Sequence, residues 1–465
     1  MIEKSPPTRA RYIVMGFLCA LSFLTYFDRV CIMQAQHDIQ RDLHLSDEQL
    51  GAVLGAFWLA YALFEIPSGW LGDRFGTRGT LTRIVLAWSL FTGLSGTANG
   101  FLLLITFRFC FGAGEAGAYP NMAKIQQAWL PAGSRARAGG LLWLMARWGG
   151  AFSPIIFATL LATLGSERFR SLVSGIPLIG RLATISPWRI GFWISALVGL
   201  IWVLLFHRWF RDGPSQHRAV NRAELELIDA GRSPQERAPV HRMDPHVWVE
   251  LFTSRSLWAI AVLYLCGSFG WNFFVSWVPK FFEQVHHVKF DKSPLISGMP
   301  LFFGGLSCLL GGWLSDRLVR ATGWTRWGRA CFPIGGCATA ATAIFCIRFT
   351  HSYTAAVVLM CVTAAAFDFG QGANWAAIIN IGGRYAGMAT GFINMVGNLG
   401  NSLQGFIGAL IFTRHGWGAL FAVYAAAYLI AGSMWFLIDP RKNFYSDTVT
   451  PPPTSDAILE PEHAR

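Results

Sequence analysis

The sequence predicts an all-α membrane protein with twelve transmembrane helices in two six-helix halves and both termini cytoplasmic. Three observations predict it. Of the 465 residues, 53% are hydrophobic and only 14% charged, whereas soluble domains average about 25% charged. The apolar residues gather in twelve blocks, each suited to a membrane-crossing helix of ~17–25 residues. Finally, the polar loop Gly69-Trp-Leu-Gly-Asp73-Arg74-Phe-Gly76-Thr-Arg78 returns in degraded form as Gly312-Trp-Leu-Ser-Asp316-Arg317-Leu-Val-Arg320, each copy following an apolar block. A turn-forming loop repeated between hydrophobic helices marks a duplicated bundle built around a central site.

Taken in order, span one (12–33) follows Lys4, Arg9 and Arg11. This start imitates a secretory signal, but the run reaches Asp28-Arg29 without a small-residue cleavage site and reads as a retained helix. Spans two and three (49–69, 80–98) enclose the first copy of the loop, and spans four to six follow at 101–125, 138–162 and 188–209. The loop 163–187 is longer than its neighbours and has room for a short helix. Residues 211–255 hold no apolar run of membrane length, but include Arg211-Asp-Gly-Pro, Gln216-His217-Arg218 and the helix-like Asn221-Arg-Ala-Glu-Leu-Glu-Leu-Ile. Spans seven to twelve are 256–281, 294–314, 329–348, 353–379, 387–412 and 417–438. The chain therefore divides into an N-terminal half (1–210), a cytoplasmic middle loop (211–255), a C-terminal half (256–440) and a disordered cytoplasmic tail (441–465) carrying Pro451-Pro-Pro.

A formal charge of +12 can mean a nucleic-acid partner, but its placement excludes that reading. Arg74, Arg78 and Arg83 follow span two; Lys124, Arg135 and Arg137 follow span four. Arg317, Arg320, Arg326 and Arg329 follow span eight, and Arg384 follows span ten. The loop after span one is acidic, with Asp38, Asp42, Asp47 and Glu48. This alternation orients the chain by the positive-inside rule, with 163–187 (Arg168, Arg170, Arg181) the one dissenting loop. Nine scattered cysteines without a Cys-x-x-Cys pair argue against disulfide staples and zinc; no cofactor or metal is expected.

Ionisable groups inside spans are costly and so are functional candidates. Asp28 and Arg29, adjacent in span one, point ~100° apart. Arg108 and Glu115 share a face of span four two turns apart, and Tyr119 continues it. Arg108 with Asp28 is as readily a static ion pair as a working one. Glu115 has no positive partner within one turn of its own helix, and a carboxyl in a dry site can be held neutral, which suits a proton carrier. Arg147, inside span five, offers a fork of donors suited to a carboxylate; it either binds solute or neutralises Glu115. Asp368, Gly372 and Trp375 share a face of span ten, with Asn374 beside Trp375. Asn394, Asn398, Asn401 and Gln404 form a polar stripe on span eleven, where Gly397 and Gly400 favour helix-to-helix glue for Asn398 and Asn401. Asn394 and Trp375 are the better candidates for cavity walls, with Tyr61 in span two a further one. In the repeated loop, Gly69, Gly72 and Gly76 permit close backbone approach. Asp73 can pair with arginines or cap a neighbouring helix, so that Gly69, Asp73, Arg74, Arg78, Asp316 and Arg317 form a conformational latch. An excess of donors over acids in an aromatic-walled site suits a small organic anion.

These residues resemble the major facilitator superfamily and, within it, the anion:cation symporter family of hexuronate, galactonate and glucarate transporters, sialin and the vesicular glutamate transporters. The general part is Gly69–Arg78 with Arg108-x-x-x-Gly112-x-Gly114. The specific part is Tyr26-x-Asp28-Arg29, Tyr61, Glu115, Trp277-Val-Pro279, Asn374-Trp375-Ala, Asn394-x-x-Gly397-Asn398-Leu-Gly400 and Arg211-Asp-x-Pro with His217. The resemblance implies that Asp28 and Glu115 are proton sites paired with Arg108, that Arg29 holds the substrate carboxylate, and that Tyr26, Tyr61, Trp375 and Asn394 line the pocket; Arg147 and Asn374 join these as candidate substrate contacts. Arg147, Asp368 and the long 163–187 loop depart from the family's pattern.

The expectation is a proton-coupled symporter for a sugar acid (hexuronate, aldonate or aldarate), not an enzyme, working as a monomer in the lipid bilayer of a bacterial inner membrane. The rivals are an organic-phosphate exchanger, for which span seven supplies no basic residue, and a transporter-like membrane sensor, for which 211–255 is short.

Overall fold

The computed structural model describes residues 6–175, 180–232, 236, 245–287 and 294–445. Among them every regular element is a helix. The first half of the chain runs α1 (Ala10–Leu43), α2 (Asp47–Phe75), α3 (Thr77–Ser95), α4 (Phe101–Glu115), α5 (Ala118–Trp129), α6 (Arg135–Gly165), the short α7 (Glu167–Ser174) and α8 (Pro187–Trp209). Two short helices, α9 (Arg222–Asp229) and α10 (Pro245–Thr253), lead to α11 (Arg255–Ser276) and α12 (Val278–His286). Then follow α13 (Pro294–Thr322), α14 (Trp327–Cys346), α15 (Tyr353–Phe369), α16 (Gln371–Gly382), α17 (Ala386–Leu403) and α18 (Ala409–Ser433). Helices cover every apolar block marked out by the sequence. Nine helical stretches among the described residues are long and apolar enough to cross a membrane, the last being the continuous run Tyr353–Phe436. That run contains real breaks: Gly383 has φ 48° and Gly416 has φ 74°, the left-handed region that glycine enters without a Cβ clash.

Local chemistry explains the helix ends. Ser46 caps α2 and Gln49 bonds back to it, a capping box, while Asp47 and Glu48 complement the dipole of the first turn. Asp212 accepts from the first amides of α3, Thr77 N at 2.6 Å and Arg78 N at 2.8 Å. Pro187 starts α8, where a missing N–H is harmless.

Three pairings recur in both halves of the chain. α1 packs on α6 as α11 packs on α17; α2 on α4 as α13 on α15; α3 on α8 as α14 on α18. The broad seams between the halves are α6 against α13 and α2 against α17. The surface is inverted relative to a water-soluble protein. Leu102 is 75% exposed, Leu204 70% and Phe406 82%, while Asp28, Arg108, Glu115, Arg147 and Asp368 are buried. Charges inside and leucines outside are what a hydrocarbon solvent demands.

The expected short helix in 163–187 is α7; residues 176–179 of that loop lie outside the described residues. The middle segment is more structured than a loop. Glu224 on α9, fully buried, accepts from Ala10 N, Arg11 N and the Arg11 guanidinium, the last at 2.9 Å, clasping the start of α1. The beginning of the expected disordered tail is a correction. Phe444 and Tyr445 are buried, Phe444 N bonds Ile381 O at 3.0 Å, and Tyr445 packs on Tyr385; two aromatics find a crevice there at the end of α16. Residues 446–465, with Pro451, lie outside the described residues, as do 233–235 and 237–244 of the middle segment.

Candidate functional site

The centre of the molecule is organised by two guanidinium–carboxylate pairs. The first joins α1 to α4: Arg29 Nε lies 2.6 Å from Glu115 Oε1, and Glu115 is fully buried. The guanidinium sits 4.4 Å from the Tyr61 ring centre and 5.3 Å from that of Tyr26. The pairing is unfinished, since Arg29 Nη2 and Glu115 Oε2 have no hydrogen-bond partner among the described residues. Glu115 thus does have a cation, supplied not by its own helix but by α1. The ~100° between neighbouring side chains lets Arg29 face Glu115 while Asp28 faces elsewhere.

Arg108 and Asp28 form no ion pair among the described residues, so the static pair that their positions suggested is absent. Asp28 Oδ1 and Arg108 Nε are buried without hydrogen bonds among the described residues. Arg108 instead lies over Phe111 (4.4 Å) and Phe57 (5.3 Å), although it remains within electrostatic reach of Asp28. Arginine's flat, weakly hydrated head makes ring faces an alternative to a carboxylate.

The second pair crosses the seam. Arg147 on α6 meets Asp368 on α15 fork to fork, Nε to Oδ2 and Nη2 to Oδ1, both at 2.7 Å. Arg147 therefore does not neutralise Glu115. Trp271 of α11 lies 4.1 Å from its guanidinium carbon. Nearby, Trp375 is fully buried, donates to Gln126 Oε1 at 2.8 Å across the seam, and meets Tyr119 and Trp143 edge to face. Asn374 departs from its expected place as a solute contact: its carbonyl accepts from Trp435 Nε1 at 2.8 Å, tying α16 to the end of α18.

One buried acid escaped sequence reasoning. Glu65 on α2 is fully buried, and its Oε2 accepts from Asn398 Nδ2 of α17 at 3.1 Å, while Oε1 has no partner among the described residues. Asn394, one turn earlier on α17, is adjacent. Asn398 is therefore a polar contact across the seam as well as a packing residue. The signal was available: Tyr61, Glu65 and Gly69 recur at i, i+4, i+8 on one face. Proximity to the polar loop made Glu65 resemble a boundary residue.

At the repeated-loop end the two aspartates play matching parts. Asp73 accepts from Gly387 N (3.2 Å) and Met388 N (2.8 Å) at the start of α17. Asp316 accepts from Ala136 N (3.3 Å) and Arg137 N (2.8 Å) at the start of α6. Each half thus caps a helix N-terminus of the other, where a carboxylate is favoured. Gly69 allows it, because a Cβ there would run into the Gly387 carbonyl. The cations beside the aspartates are Lys124 (3.6 Å from Asp73) and Arg329 (3.5 Å from Asp316). The three arginines assigned to the latch are not. Arg74 lies over Trp70 and Phe75, Arg317 over Trp313, and Arg78 bonds the His207 carbonyl at the end of α8. Long flexible side chains at a helix end snorkel over rings and carbonyls, and amide donors out-compete them for the aspartates.

Known proteins resemble this chain over most of its length. The model of the Major Facilitator Superfamily matches residues 18–405. A probable sulfoacetate transporter of Cupriavidus necator is 30% identical over 406 residues, 87% of each chain. A probable galactarate/D-glucarate transporter of Escherichia coli is 27% identical over 452 residues, 93% of each. The solved structure of the E. coli fucose:proton symporter superposes with TM-score 0.67 over 92% of this chain and 99% of that one; at 13% identity it speaks for the fold alone.

Proposed function

The chain belongs to the major facilitator superfamily, transporters rather than enzymes, and on that premise we propose that it is a proton-coupled symporter of a small organic anion of the sugar-acid kind. The observation that carries this reading is the buried Arg29–Glu115 pair. A guanidinium held by an internal carboxylate takes a substrate carboxylate on the same donors once that internal group is protonated. Glu115 and Asp28 receive protons, the anion takes Arg29 beside Tyr26 and Tyr61, and the neutralised centre permits the halves to rock. An unpaired charge left in a closing, dry site costs several kcal/mol, on the order of 3–5, and that cost enforces coupling.

The topology belonging to this reading has twelve spans, with Tyr353–Phe436 folding back at its glycine breaks, residues 1–210 and 256–440 as the halves, and both termini on the cytoplasmic side of a bacterial inner membrane. The aspartate caps then close the cytoplasmic end, and solute enters from the opposite one. The test is uptake of labelled galactonate or glucarate into proteoliposomes. An acid-outside gradient should drive accumulation several-fold above equilibrium; exchange driven by counter-solute alone and indifferent to pH would sink the mechanism.

A further inference from the structure

Asp368 and Glu115 occupy equivalent places in the two halves. Glu115 ends α4, just before the interruption at Ala116–Gly117; Asp368 is the next-to-last residue of α15, just before the interruption at Gly370. Each lies on a guanidinium, Glu115 on Arg29 and Asp368 on Arg147. The Arg147 pairing is bidentate, with both contacts at 2.7 Å. Those donors therefore already hold a planar two-oxygen anion in the geometry a free acid group requires.

The surroundings are rich in idle donors. Among the described residues, the indole N–H groups of Trp143 and Trp271 and the hydroxyls of Tyr264 and Tyr428 are buried without a hydrogen-bond partner. The guanidinium carbon of Arg147 is 4.1 Å from the Trp271 ring and 5.3 Å from that of Trp143. Tyr264 lies within electrostatic reach of Arg147 and Asp368, and Tyr428 of Asp368. One buried donor without an acceptor is costly, and a helix seam designed only for packing carries few of them. Four in one neighbourhood describe a place where a polar ligand binds. Tyr26 joins this neighbourhood to the first pair: Arg29 lies over its ring, and it packs against Gly149 and Gly150, just past Arg147 on α6.

We propose that Arg147 is a second anion subsite and that the solute is a dianion with an acidic group at each end, a dicarboxylate or a sulfonated carboxylate. One acid group takes Arg29 from the protonated Glu115, the other takes Arg147 from Asp368 as that carboxylate in turn takes up a proton, and the tyrosine and indole donors receive the oxygens between them. Because Arg147 and Asp368 belong to different halves, the same exchange removes an ion pair across the seam, so that a solute filling both ends frees the halves to move most readily. This rests on the transporter reading above and narrows its substrate.

The experiment uses the purified full-length protein and matched probes: galactarate, glucarate and sulfoacetate as dianions, galactonate and glucuronate as monoanions. Binding is read by thermal shift and transport by competition in proteoliposomes. At least one dianion should half-saturate at a concentration about tenfold or more below its matched monoanion, the worth of one charge-assisted contact pair. The double variant Arg147→Gln/Asp368→Asn removes both members of the buried pair and should lose that preference, with dianion affinity falling by about tenfold or more to the level of the matched monoanion. Arg147→Lys, which keeps the charge but not the fork, should lose about tenfold for the dianion and serves if the double variant does not fold. A wild-type protein that prefers monoanions, or variants that keep the dianion preference, would overturn the second subsite while leaving an organic-anion transporter standing. Failure of every probe of either charge to bind or move would overturn the transporter reading itself, and the subsite with it.

Discussion

Glu115→Gln separates binding from coupling. The amide keeps the shape of the side chain, leaves Arg29 without its internal anion and cannot take a proton. Counterflow of unlabelled against labelled solute should persist, while accumulation driven by a pH gradient should fall to the level without a gradient. Loss of both activities together would make Glu115 a structural residue. Arg29→Ala should lose solute binding by about 100-fold or more, since it deletes a charge-assisted contact and strands Glu115 without a cation; thermal shift with the probe solutes measures it. Glu65 is a subtler case. Glu65→Gln keeps an acceptor for Asn398 and should unfold near the wild-type temperature. Glu65→Leu leaves the Asn398 amide unpaired in the seam at about 1–3 kcal/mol, so thermal unfolding should come several degrees earlier. Which charges would be buried was largely legible in the sequence, because charge inside an apolar block announces itself. Their partners were not. Spacing along one helix reaches only i±4 and i±7, whereas Arg29–Glu115, Arg147–Asp368 and Glu65–Asn398 all depend on how one helix lies against another.

At the scale of elements, the repeated loop matters for its aspartates more than its arginines. Asp73→Ala and Asp316→Ala each strip two helix N-terminal amides of their acceptor, worth about 0.5–2 kcal/mol per cap, and only in the state where this end is closed. Both should shift the population toward the state open at that end. Cys308, fully buried on α13 against Gly140 of α6, reports it: peptide mapping after treatment with a small water-soluble maleimide should show faster labelling in both variants. Arg74→Gln and Arg317→Gln, whose side chains lie over tryptophan rings, should label at the wild-type rate; the opposite pattern would return the latch to the arginines. The loop's duplication was plain from its spelling, but the recipients of its carboxylates lie more than 170 residues away in sequence. The ordered Phe444–Tyr445 segment was hidden for a related reason, since two aromatics in a polar, proline-rich stretch reveal nothing of the crevice that receives them.

For the whole molecule, hydropathy alone located every long helix, because a hydrocarbon surround forces long apolar runs whatever the tertiary detail. Orientation rests on the arginines and lysines of alternate loops. A phosphatase reporter fused after Thr350 should be active, and one fused after Arg465 inactive; the reverse would invert the topology and place the aspartate caps on the outer face. The second half's contribution to the centre is what the sequence made hardest to see. Asp368 and Asn398 acquire meaning only once the α6–α13 and α2–α17 seams bring them to Arg147 and Glu65.

Proton movement on binding probes the coupling most directly. Adding a transported anion to the purified protein in weakly buffered solution with a pH indicator should cause proton uptake by the wild type. In Glu115→Gln the same anion should bind with that uptake reduced or abolished. Anion binding to the wild type without any proton uptake, or identical uptake by the variant, would contradict the claim that Glu115 exchanges Arg29 for a proton.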